Sequence, residues 1–202
     1  MVTLLELQNK QLIHDQKCHR DILYMSNQER FKHMVMHYGK YSGRLADLLR
    51  THSDHVKTMN EVKRTLVDCF IIVLSSAEVL QMNLEDNLKN KLGIDRDVSI
   101  NELSDILKES ASNLFSLLNS VDERERVLNL MLELTSIGGF MQKVGEDLDH
   151  LVGIPRDQIK EQTSNMLVIL LLAGIVWSVD YENDVPARWD AIGKKTVIQG
   201  PQ

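Results

Sequence analysis

The chain has 202 residues, 43% hydrophobic and 26% charged, an ordinary globular composition that excludes a disordered polymer. Its formal charge of −6, with both signs interleaved, argues against a broad polyanion-binding surface of the nucleic-acid kind. Cys18 and Cys69 have neither CxxC spacing nor the density of a small secreted scaffold, so reduced thiols in a cytoplasmic protein are the simplest expectation.

Prolines occur only at 155, 186 and 201, so long helices are permitted through most of the chain. Leu4, Leu5, Leu12, Ile22 and Leu23 recur at helical spacing and define an N-terminal helical arm over residues 1–25. Acidic and polar residues stand there in place of the apolar run of a signal peptide, so export is not expected. Ser26-x-x-Glu29 has the form of a capping box and predicts a second helix to about Arg50. Asp54 is placed to cap a third helix to about Leu80, whose stretch Ile71 to Leu74 is apolar all round and belongs in a core. Asn83 starts a short helix ending near Gly93, a residue suited to a left-handed cap.

Ser99-x-x-Glu102 is a second capping box, and a long helix should cover about 121–152. Gly138-Gly139 inside it predicts close helix packing or a kink. Pro155 suits the first turn of the next helix, which ends in the apolar run Met166 to Trp177. That run is shorter than the roughly 20 residues that span a bilayer, so a buried helix and no membrane contact are expected. Asp184-Val185-Pro186 should open a last short helix, with Pro186 in its first turn, before a flexible tail over 196–202.

The segment from Ile71, IIVLSSAEVLQMNLEDNLKNKL, lies without a gap over VILLLAGIVWSVDYENDVPARW from Val168. Upstream, GKYSGRLADL from Gly39 lies over QKVGEDLDHL from Gln142, matching Lys40 with Lys143 and Leu45 with Leu148. An internal duplication follows as an expectation, with halves at 26–98 and 99–195.

Asp68 stands among Leu66, Val67, Cys69, Phe70, Ile71 and Ile72, and a carboxylate in apolar surroundings must be paired, metal-bound or protonated. Glu146 and Asp149 share one helix face by their spacing, with Asp147 and His150 beside them. His33 and His37, and also His52 and His55, are spaced to reach one metal or to face solvent. Lys40 and Arg44 share a basic face suited to phosphate or to water.

LSSAEVLQMNLEDNLKNKL, and in the second half VDYENDVPARWDAIGKK, resemble the tail of MazG-like nucleotide pyrophosphohydrolases, in which a buried helix gives way to a short helix ending in Lys or Arg. The resemblance implies an all-α helical bundle built from two similar MazG-like halves. One chain then supplies what the family builds by pairing subunits, and homo-oligomerisation stays open. The family's Glu-x-x-Glu and Glu-x-x-Asp pairs bind Mg²⁺, which positions a nucleoside triphosphate for hydrolysis to monophosphate and pyrophosphate. The second pair falls here at Thr65-x-x-Asp68 and Gln162-x-x-Asn165, and the first near Lys40 to Arg44 or Lys143 to Glu146. The resemblance thus points to Asp68 and Glu146 as Mg²⁺ ligands, with Asp149 added by its spacing from Glu146, and Lys40 or Arg44 is placed to neutralise phosphate. The substituted acidic positions favour the alternative, a catalytically inactive helical interaction module that keeps the fold.

Overall fold

Apolar residues at helical spacing, bounded by side-chain caps, give ten helices and no strand among the described residues of the computed structural model, 2–51, 55–150, 153 and 155–195. In chain order these are α1 Leu4–Cys18, α2 Arg20–Leu23, α3 Asn27–Thr51, α4 His55–Leu80 and α5 Leu84–Leu92. They continue as α6 Ile100–Ser110, α7 Ser112–Leu118, α8 Glu123–Asp149, α9 Arg156–Trp177 and α10 Tyr181–Gly193. The all-α expectation is met. The Asp54 cap, the His52–His55 pair and the 196–202 tail lie outside the described residues or side chains.

The caps account for many of the boundaries. Ser26 and Glu29 exchange hydrogen bonds ahead of α3, and Ser99 and Glu102 do the same ahead of α6. Gly93 closes α5 at φ 67, a conformation glycine adopts without a Cβ clash.

Three boundaries differ from expectation. The first helix breaks at His19, whose backbone leaves the helical region, and the Ser99-capped helix breaks likewise at Ala111. The last helix begins earlier than expected, at Tyr181, because the Asp180 side chain accepts from Asn183 N, so Pro186 lies inside it.

Helices α3 and α4 pack on each other and, respectively, on α8 and α9, with α1 against α4 and α6 and α7 against α9. Leu4 and Leu7 are buried, so the N-terminal segment is part of the core. Helix α8 runs unbroken through its two glycines, and a Cβ on Gly138 would lie 3.3 Å from Tyr38 Cβ, so close packing is what that glycine serves. Helix α9 has 22 residues and is long and apolar enough to cross a membrane, unlike the shorter run within it. In this fold 61% of its apolar window is buried by protein, as in the core helix of a bundle.

The ends of α4 and α9 have the same local geometry at the positions aligned in the sequence. Gln81 and Ser178 both have φ 52, and each is followed by an amide bonded back to the sixth residue of the turn, Met82 N to Ala77 O and Val179 N to Gly174 O. Asn83 and Asp180 then cap α5 and α10 by accepting from Asp86 N and Asn183 N.

Candidate anion-binding site

Asp68 lies mid-way along α4, where apolar residues on either side bury it to 6% side-chain exposure. Two arginines answer it. Arg188 of α10 donates through Nε to Oδ1 at 2.5 Å and through Nη2 to Oδ2 at 3.2 Å, and Arg44 of α3 donates through Nη1 to Oδ2 at 2.7 Å. Burial pushes the carboxyl pKa up, but hydrogen bonds and charge from Arg188 and Arg44 outweigh it and hold Asp68 below the usual carboxylate value. Asp68 is therefore an ionised acceptor.

One carboxylate balances one of these charges, and a third cation is close by. Lys40, one turn before Arg44, stands over the Tyr41 ring at 4.8 Å, with the Arg44 guanidinium over the same ring at 5.3 Å. Partial burial, then repulsion from Arg44, lowers the Lys40 pKa. Its ammonium lies 2.7 Å from His37 Nδ1. An ammonium only donates, so Nδ1 accepts, which puts the His37 proton on Nε2, facing His33 Nε2 at 3.2 Å. Burial, then Lys40 and His33, draws His37 down to about 4. Burial also lowers His33, with the His19 and Lys40 charges adding to it and Asp21 and Asp15 opposing. Protonation of both imidazoles is thus disfavoured, by burial first and by the nearby Lys40 charge.

This donor set does not fit the Mg²⁺ that the family resemblance implies. Asp68 offers oxygens already engaged by two guanidiniums, and a divalent cation would have to displace them among like charges. Glu146 is exposed on α8 and pairs with Lys143 at 3.4 Å, while exposed Asp149 pairs with Lys32 of α3. Asp68, Glu146 and Asp149 form no common metal-ligating group among the described residues. What the structure brings together is Asp68, Arg44 and Lys40.

Arg188 completes the cluster, and the sequence reading did not single it out. Its signal was the alignment of the halves, which sets Arg188 opposite Lys91 and Asp68 opposite Asn165. Lys91 Nζ of α5 reaches Asn165 Oδ1 of α9 at 3.1 Å, so a bond from a short helix to a long apolar helix occurs at both pairs of aligned positions. Only the Asp68 version gathers cations, since Lys143, aligned with Lys40, is tied to Asp147 at 2.5 Å. A groove of about 410 Å³ lined by Phe31, Leu80, Leu148 and Arg156 shares no residue with the cluster.

No family model, no curated protein and no solved structure matches this chain.

Proposed function

We propose that this chain binds a phosphorylated anion of the nucleoside triphosphate class at Lys40, Arg44 and Arg188, without a metal ion held by Asp68. The observation that carries this reading is the charge imbalance: two guanidiniums bond one carboxylate, with the Lys40 ammonium near enough to feel the charges of all three. Each guanidinium has five N–H donors, and among the described residues Arg44 gives one and Arg188 two to Asp68. The planar guanidinium fork suits two oxygens of a tetrahedral phosphate, and both arginine side chains are partly exposed. Asp68 holds the guanidiniums of Arg44 on α3 and Arg188 on α10 in place, so less ordering is needed when an anion arrives. The paired cross-connections support two related halves, with the charged site built from Asp68, Lys40 and Arg44 of the first and Arg188 of the second.

A second reading, an interaction module, is favoured by apolar side chains exposed at α7 and the start of α8, among them Leu117, Val121, Leu128 and Leu132. Equilibrium dialysis against purine and pyrimidine nucleoside triphosphates, with chelator and with Mg²⁺, separates the two. Binding in chelator with no pyrophosphate release supports the anion site. No binding to any triphosphate in either buffer leaves the interaction module as the better account.

A further inference from the structure

Helix α1 ends at Cys18, and His19 closes it at φ −132, ψ 44 with its amide bonded to Asp15 O. The break turns the His19 ring back along α1, 5.6 Å from the His14 ring. One ligand atom from each of His14, Asp15 and His19 then lies within 4.8 Å of the others.

The surroundings of this trio fix which atoms face inward. His14 Nε2 lies 3.3 Å from the Trp189 carbonyl oxygen, and its ring stacks on the Trp189 indole at 5.9 Å. A carbonyl oxygen only accepts, so Nε2 carries the proton and Nδ1 of the neutral ring carries a lone pair. Nδ1 is buried and has no hydrogen-bond partner. The Asp15 Oδ1 atom is 3.8 Å away, too far for an N–H···O bond. Asp15 is held in turn: Gln11 Nε2 donates to Oδ1 at 2.8 Å and Ser75 Oγ to Oδ2 at 2.9 Å. Trp189 Nε1 donates to Gln11 Oε1 at 2.5 Å, which fixes the orientation of the amide.

A buried lone pair thus faces a carboxylate oxygen with no proton donor between them. Their separation suits one ion bonded to both at about 2.0 to 2.2 Å, the lengths of Zn–N and Zn–O bonds. The hydrogen bonds of Gln11, Ser75 and the Trp189 carbonyl are of the outer-shell kind that fix ligand tautomer and orientation.

We propose that His14, Asp15 and His19 form a site for a divalent transition-metal ion of the zinc class. Two imidazoles and a carboxylate suit such an ion better than Mg²⁺. Three protein ligands leave a fourth position for water or a further donor. The ion would join the end of α1 to α4 and α10 through Ser75 and Trp189. This site is independent of the anion site at Asp68 and uses none of its residues.

The test is calorimetric titration of Zn²⁺ into the metal-free full chain, with thermal unfolding and the absorption spectrum of the Co²⁺ form as separate readouts. The expected result is one equivalent of tightly bound ion, a higher Tm with Zn²⁺, and a low-coordinate Co²⁺ spectrum. His19→Ala, in a partly exposed residue at a helix break, should weaken binding about tenfold or more and abolish the Tm increase. Asp15→Asn should do likewise, and His14→Gln provides a second variant if either fails to fold by circular dichroism. Glu146→Gln, at an exposed position of α8 paired with Lys143, should leave binding unchanged. Absence of stoichiometric binding by wild type overturns the proposal. So does binding that survives in folded His19→Ala or His14→Gln, or that is lost in Glu146→Gln.

Discussion

Arg188 and Asp68 are joined by two hydrogen bonds, 2.5 Å from Nε to Oδ1 and 3.2 Å from Nη2 to Oδ2, which fasten the last helix to the centre of α4. Together with Arg44 this makes a buried carboxylate between two partly exposed cations. Asp68→Asn keeps the shape, removes the charge and leaves the arginines facing an amide. Stability should fall by about 1 to 3 kcal/mol, measured as a lower midpoint in urea. Triphosphate binding in chelator should strengthen in the same variant, because the Asn Oδ1 still accepts from a guanidinium and positions it while the negative charge that repels the anion is gone. Triphosphate binding that needs Mg²⁺ in wild type and is lost in folded Asp68→Asn would return Asp68 to the role of a metal ligand.

The pH dependence of stability should carry the mark of His37. Its folded pKa of about 4 lies below the ordinary 6.5, chiefly through burial, with Lys40 and His33 adding to it. Between these values the unfolded chain binds more protons than the folded one, so stability rises with pH across that window. The destabilisation should set in as pH falls below 6.5 and level off near 4. His37→Gln, neutral throughout and still able to accept from Lys40, should flatten that part of the profile. Asp68, held below 3.8 in the folded state, should add its own loss at more acidic pH. Urea unfolding at a series of pH values checks both, and an unchanged slope in His37→Gln would contradict the assignment.

Glycines separate packing from propensity. A Cβ at Gly174 would fall 2.5 Å from Tyr181 Cε2, in a ring stacked on Phe70 and anchored by its hydroxyl to Leu170 O. That ring has little room to give, so Gly174→Ala should destabilise by about 1 to 3 kcal/mol despite its better helix propensity. Gly139, in the same α8 stretch as Gly138, has open space around it. Gly139→Ala should stabilise by up to about 1 kcal/mol. Thermal unfolding of the two variants should move in opposite directions.

Much of the fold was legible because its signals are local. Capping residues Ser26, Asn83 and Ser99, and the left-handed Gly93, act within one turn, and the apolar run from Ile71 to Leu74 implies burial by itself. The breaks at His19 and Ala111 carry no glycine or proline, and Pro186 lies inside its helix because the cap is Asp180, four residues before the acidic residue expected to open it. At the site, Asp68 was visible as a carboxylate among apolar neighbours. Its partners were not, because Arg188 is distant in sequence and only the meeting of α4 with α10 brings it near. The acidic face of Glu146 and Asp149 was equally visible, yet it lies in solvent beside Lys143 and Lys32. Spacing shows which residues share a face but not what that face meets.

Lys40 offers the most direct test of an anion site, because it contributes charge to the cluster without holding Asp68. Inorganic triphosphate titrated calorimetrically into the full chain, in chelator, should bind at one site. Lys40→Gln should weaken that binding by about tenfold or more, the worth of one charge-assisted contact, with the circular dichroism spectrum and Tm little changed. Equal affinity in wild type and Lys40→Gln, or wild-type binding that appears only when Mg²⁺ is restored, would contradict a metal-independent site at Lys40, Arg44 and Arg188.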